Sequence, residues 1–166
     1  MCLEDTVRIP LRARDGSVRA YAIIDAADAP FAARWRWNLI NTQYAGRWEK
    51  DATTKRSCLI YLHRELLGLP RIRDGREGDH INRDTLNNTR KNLRVLTHAQ
   101  NLQNKASYRG ATSRHRGVYW DSRAQRWRAE VRLNGKKHSL GSFLLENDAA
   151  DAARNARIRL MPYATN

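Results

Sequence analysis

Eight residues near the C-terminus constrain what this chain can fold into more than any others. From residue 126 to 133 polar and apolar side chains alternate without a break, Arg126, Arg128, Glu130 and Arg132 against Trp127, Ala129, Val131 and Leu133, and Asn134-Gly135 follows at once. A period of two places successive side chains on opposite faces of a strand, and Asn-Gly supplies the two positive-φ residues of a tight hairpin turn. The chain must therefore reverse at 134–135 into a strand over 138–143, with 118–120 as a third strand. Ala149, Ala153, Ala156 and Leu160 then recur at helical spacing. The reading is a three-stranded antiparallel sheet packed on one alanine-faced helix.

The N-terminal half follows the same rules less strictly. Val7, Ile9 and Leu11 alternate with polar residues, Asp15-Gly16 supplies a turn and 18–24 is a second apolar run, which predicts a hairpin. Trp35, Trp37, Tyr44 and Trp48 mark a further aromatic strand pair, read as core of a small sheet rather than as base-stacking platforms. Leu59, Leu62 and Leu66 with Gly68 predict a short helix that carries His63 and Arg64. Residues 70–92 are rich in Gly, Asp, Asn and Arg and read mostly as loop, holding one strand at 78–82. A strand over 92–96 follows, and Thr97 and Gln100 form a capping box at the start of a helix. Residues 105–113 lack periodicity and read as a linker. The fold class is α+β, with one unit over 1–104, its ββα part at about 76–104, and a second domain over 114–166.

Among the 166 residues, 31 Lys and Arg face 17 Asp and Glu, a net charge of +14. The excess is +3 over residues 1–59, +4 over 60–107 and +7 over 108–166. Basicity spread along a chain in this way calls for a polyanion, and nucleic acid is the expected partner. An acidic membrane fits less well, since no run approaches the roughly 18 apolar residues of a span. Cys2 and Cys58 make no zinc-binding spacing, so a reduced, cytoplasmic protein without zinc is expected. The acidic start, Met-Cys-Leu-Glu-Asp, is unlike a secretory signal.

Asp79, His80, Asn92 and Asn101 form the chemical constellation. In a strand-loop-strand-helix unit, Asp79 and Asn101 would face each other across the strand-helix groove and share one cation. A carboxylate and an amide carbonyl are hard oxygen ligands suited to Mg²⁺, with Mn²⁺ as a substitute. Phosphodiester hydrolysis needs an activated water, charge neutralisation at phosphate and stabilisation of the departing 3′ oxygen. Neutral His80 can take the proton from water. Asn92 can bridge the loop and hold His80 in place. His98 reads as an exposed residue of the capping turn. His63 and Arg64 read as packing on this unit or touching a phosphate.

The run GDHINRDTLNNTRKNLRVLTHAQNLQNK resembles the HNH motif of phage and intron-encoded homing endonucleases, and LHRELLG is similar to the helix that precedes it. The resemblance implies that Asp79 and Asn101 are metal ligands, His80 the general base and Asn92 the loop-fixing asparagine. Asn101 stands where many members carry His.

Residues 114–166 resemble the plant ethylene-response-factor (Apetala-two) domain through Arg116-Gly117-Val118, WRAEVR at 127–132, LGSF at 140–143 and the Ala149-Ala150 helix. Ser139 and Leu145 depart from that pattern. A three-stranded sheet can lie in the major groove, and Arg126, Arg128, Glu130 and Arg132 form a charged face suited to base edges. By the resemblance Arg116, Arg123, Glu130 and Arg132 are groove contacts, while Lys136, Lys137 and His138 sit where a phosphate clamp would help. The combined reading is a monomeric Mg²⁺-dependent endonuclease acting on double-stranded DNA in a bacterial or phage-infected cell. It cuts one strand to 5′-phosphate and 3′-hydroxyl ends. A DNA-binding regulator without cleavage and an RNA-binding or packaging protein are the alternatives.

Overall fold

The computed structural model describes residues 5–70, 74–105 and 110–165. The chain divides into two compact units, Met1–His98 and Ala99–Asn166. The division falls ahead of the 105–113 linker read from the sequence, of which 106–109 lie outside the described residues, as does Cys2.

The first unit opens with β1 (Thr6–Arg12) and β2 (Val18–Asp25), an antiparallel hairpin. Its turn is shaped by Asp15, whose Oδ1 accepts from the Ser17 amide at 2.9 Å, and by Gly16 at φ 91°. Leu11, Ala22 and Ile24 point inward from it and are fully buried. The single-turn helix α1 (Ala29–Ala32) leads into a three-stranded antiparallel sheet of β3 (Asn38–Ile40), β4 (Tyr44–Lys50) and β5 (Ser57–Tyr61). Trp35 and Trp37 precede β3 rather than forming a strand of their own.

Helix α2 covers only Leu62–Leu66. The leucine spacing from Leu59 suggests a longer helix, but Ser57–Tyr61 pairs with β4 residue by residue, Gly46 opposite Tyr61 and Trp48 opposite Leu59. Strand pairing takes Leu59, and the helix keeps the fully buried Leu62 and Leu66, 8% exposed. Strand β6 (Arg76–His80) then pairs with β7 (Leu93–Thr97), Asp79 opposite Arg94 and His80 opposite Leu93. β6 ends two residues before the expected strand does. Beyond His80 the Ile81 amide donates to the Asn92 carbonyl, and the Asn82 amide then turns to the Asn92 side chain, which ends the ladder.

Helix α3 (His98–Asn101), at the helix start read from Thr97 and Gln100, is one turn and passes into a 3₁₀ turn at Leu102–Asn104. The carbonyls of Leu102 and Gln103 accept from the Arg116 guanidinium, so they are not offered to amides of a further helical turn.

In the second unit β8 (Val118–Asp121), β9 (Arg126–Leu133) and β10 (Lys136–Phe143) form an antiparallel sheet with β9 central. Asn134 and Gly135 take φ 50° and 77°, as a tight two-residue hairpin requires. Helix α4 (Glu146–Leu160) buries Ala149, Ala153 and Ala156 against Val118, Ala129 and Val131. Gly117, at φ 81°, permits the close approach of β8 to β9: a Cβ there would lie 2.3 Å from the Glu130 carbonyl oxygen. Among the described residues no helix is long and apolar enough to cross a membrane.

Candidate active site

The loop from residue 81 to 92 is held by its own short polar side chains. Asn92, 5% exposed, accepts the Asn82 amide on Oδ1 at 3.0 Å and donates from Nδ2 to the Asn87 carbonyl at 2.7 Å. Its backbone carbonyl takes the Ile81 amide at 2.8 Å. Within the loop, Asn82 accepts from the Asp84 amide, Asp84 from Leu86 and Asn87 from Thr89, each two residues on. Such Asx turns let a segment with few apolar residues keep one shape. The N-terminal hairpin completes the frame: the Ile23 amide donates to Leu86 O and the Asn88 amide to Ile23 O, at 2.8 and 2.7 Å. Arg90 clamps Asp28 through Nε and Nη2 at 3.0 and 2.6 Å.

This frame fixes His80. Its Nε2 lies 3.2 Å from Asn88 Oδ1, and the Asn88 amide is oriented by donation from Nδ2 to Leu86 O at 3.0 Å. With that amide nitrogen committed, Oδ1 faces the imidazole as an acceptor. Nε2 is then the protonated nitrogen and Nδ1 the basic one. Burial pushes the His80 pKa below its ordinary 6.5, against the Asn88 hydrogen bond and the Asp79 and Asp84 carboxylates, which pull upward. The ring is therefore neutral near pH 7 and able to accept a proton.

Asp79 is also buried, 8% exposed, and its Oδ2 receives Arg94 Nε at 2.8 Å and Nη2 at 2.7 Å. Asn101, half-buried on α3, falls in the second unit. Among the described residues no three His, Cys, Asp or Glu side chains are grouped to hold a metal. Any ion at Asp79 would thus lean on few protein ligands. A carboxylate is a hard oxygen donor of the kind that divalent cations take.

Around the histidine lies an aromatic cluster that the sequence does not advertise. His63 packs edge to face on His80 with ring centroids 4.9 Å apart, and Tyr44 lies 6.2 Å from His80. The Tyr44 hydroxyl is held above its usual pKa by burial and by Tyr61 and Asp79. His63, 7% exposed, has its pKa lowered to about 3 by burial first, then by His80 and Arg64. Gly78 makes room for it, since a Cβ there would sit 2.7 Å from His63 Cδ2.

The folded pKa of His63 lies below the unfolded value of 6.5, so below 6.5 the unfolded chain takes up a proton that the native state refuses. This contribution to stability is complete above pH 6.5 and is lost as pH falls toward 3, at up to about 1.4 kcal/mol per pH unit. Denaturant titrations at pH 7 and 4.5 should show a smaller loss in His63→Gln than in the wild type. Equal losses in both would show that His63 does not carry the effect.

The other sequence candidates have diverse settings. His98 is exposed and paired with Glu77 at 2.8 Å, and Arg64 donates to Pro70 O at 2.9 Å. On the C-terminal sheet, Arg123, Arg126, Arg132 and Lys136 are exposed. Arg128 pairs with Asp121 at 3.0 Å, Lys137 pairs with Glu130, and Arg116 caps the carbonyls of Leu102 and Gln103. Asn88 is the residue that sequence reasoning missed. Its signal was weak but present, an Asn-Asn pair midway between His80 and Asn92 in a segment where other Asx residues make turns.

Residues 70–103 match the family described as HNH endonuclease. Protein 3.8 of Escherichia phage T7 is 33% identical over 64 residues, which is 39% of this chain and 53% of that protein. The chain thus spans about half the length of this relative. No solved structure matches. The family match ends at residue 103, so the likeness of 114–166 to the ethylene-response-factor domain gains no support from it. The likeness to HNH endonucleases is confined to residues 70–103, the segment that holds Asp79, His80, Asn92 and Asn101.

Proposed function

We propose that this chain is a metal-dependent DNA endonuclease that nicks one strand, with His80 as general base. The observation that carries this reading is a buried imidazole, its pKa lowered by burial, whose Nε2 lies 3.2 Å from the Asn88 side-chain oxygen, beside the Asp79 carboxylate at the end of β6. Nδ1 of His80 takes a proton from the attacking water. Asp79 would supply one oxygen ligand for a divalent cation, and by the likeness of the motif Asn101 would be the second. When bound, Mg²⁺ contributes charge neutralisation at the phosphate and at the departing 3′ oxygen. Asn92 acts indirectly, by keeping the 81–92 loop closed. The exposed arginines of β9 and the lysines of β10 bind the duplex and bias where it is cut, and 5′-phosphate and 3′-hydroxyl ends result.

One contact favours the rival reading of a regulator that binds without cutting: Arg94 already neutralises Asp79, where the cation would bind. The two readings separate on supercoiled plasmid. Mg²⁺ or Mn²⁺ should convert it to open circles, chelation by EDTA should stop conversion, and the ends should be ligatable. Conversion that survives EDTA, or plasmid that stays supercoiled while fully bound in either metal, would overturn the proposal.

A further inference from the structure

We infer that the first unit carries a track for an unpaired DNA strand, running past Trp35 and Trp48. The inference goes beyond the nuclease reading and does not depend on it. Two adjoining depressions mark the track. One, of about 890 Å³, lies between β1 and the segment from α1 to Trp37 and is lined by Arg8, Arg12, Arg34, Arg36 and Trp35 among other residues. The other, of about 530 Å³, shares Arg12 and Arg36 and adds Arg14 and Trp48. No Asp or Glu is among the residues lining either one.

Each depression presents an indole to solvent. Trp35 is 41% exposed and Trp48 61%, whereas Trp37, two residues from Trp35, is 3% exposed and donates from Nε1 to Ala32 O. Trp35 is also braced. The Arg47 guanidinium stacks 3.8 Å from its ring centroid, and Arg47, 4% exposed, is held by Glu49 and by both oxygens of Glu65. A ring fixed from behind loses little conformational freedom when something stacks on its open side.

The arginines at the rim are arranged similarly. Arg12 donates to Gly16 O at 3.0 Å and Arg36 to Ala13 O at 2.7 Å, which sets each guanidinium along the hairpin with further N–H donors in its fork. Arginines beside open aromatic faces are the chemistry of single-strand binding: phosphates meet the cations and bases stack on the rings without sequence preference. A duplex would rest on the rims, its bases already stacked on one another and closed to the indoles.

The test uses full-length His80→Ala protein, so that DNA is not consumed, and measures anisotropy of a labelled oligothymidine of about 16 nucleotides and of a duplex of equal length. Trp35→Ala and Trp48→Ala should each raise Kd for the oligothymidine about tenfold and leave duplex Kd within about twofold, in line with base-aromatic stacking. Arg8→Gln with Arg34→Gln should reduce the salt slope of oligothymidine binding by about 1.4, roughly 0.7 for each phosphate contact. Trp35→Phe should retain most of the affinity. Thermal melts check folding, and the highly exposed Trp48 keeps the test available should Trp35→Ala unfold. The proposal is overturned by unchanged oligothymidine binding in both tryptophan variants, by equal loss for single strand and duplex, or by tighter binding of oligouridine.

Discussion

His80→Ala is expected to slow plasmid nicking by about 10²–10⁴-fold, the range in which a positioned general base contributes. Loss of a proton acceptor should appear in the chemical step. The imidazole is neutral and buried, so its removal deletes no charge that DNA would feel, and duplex Kd should stay within about twofold. The pH profile gives a second readout. Because burial places the His80 pKa below 6.5, the wild-type rate should be level above that pH and fall as acid protonates Nδ1. The variant should lack this acid limb, and added imidazole, which can enter the space left by the ring, should restore part of the rate. Equal nicking by variant and wild type would remove His80 from the mechanism.

Much of this site was legible because its residue types carry chemistry at short range. An Asp-His pair on a strand and an asparagine at the head of the returning strand are local features, and β6 and β7 pair close to where the sequence places two strands, the first of them two residues earlier than expected. Asn88 was not legible. Its contact with His80 exists only because the loop returns over β6, and the loop returns because Ile23, Asp25 and Asp28 in the N-terminal hairpin and the turn after it hold Leu86, Asn88 and Arg90. Nothing within 79–101 announces that dependence on residues some 60 positions earlier.

The aromatic residues teach a related lesson. Read as one class, Trp35, Trp37 and Trp48 are core. In the structure only Trp37 is: Trp35 lies before β3, where the backbone leaves the strand geometry that puts positions two apart on one face, and Trp48 is on β4 with its side chain exposed. On β9, strict alternation made the two faces plain from sequence. Which cations on that sheet are engaged by neighbours, as Arg128 is by Asp121, depended on strand order and register and was not visible beforehand.

Asn92→Ala should be the most damaging single change to the frame, with separable effects on stability and on rate. It removes the acceptor for the Asn82 amide and the donor to the Asn87 carbonyl, both part-buried, and alanine replaces neither. Orphaned buried polar groups cost about 1–3 kcal/mol each, partly relieved by water at this loop, so a loss of about 2–3 kcal/mol is expected. For a unit of this size that corresponds to a fall in Tm of roughly 10–20 °C. The effect on rate follows from geometry: Asn87, released from Asn92, is the neighbour of Asn88, which orients His80. A displacement of about 1 Å at the base can cost on the order of 100-fold. Rates measured well below the variant's Tm should therefore fall with duplex Kd preserved. Asn92→Asp, which keeps the acceptor but introduces a charge and loses the donor, should not rescue them. A variant that is less stable yet nicks at the full rate per folded molecule would show that the loop supports the fold without aiming the imidazole.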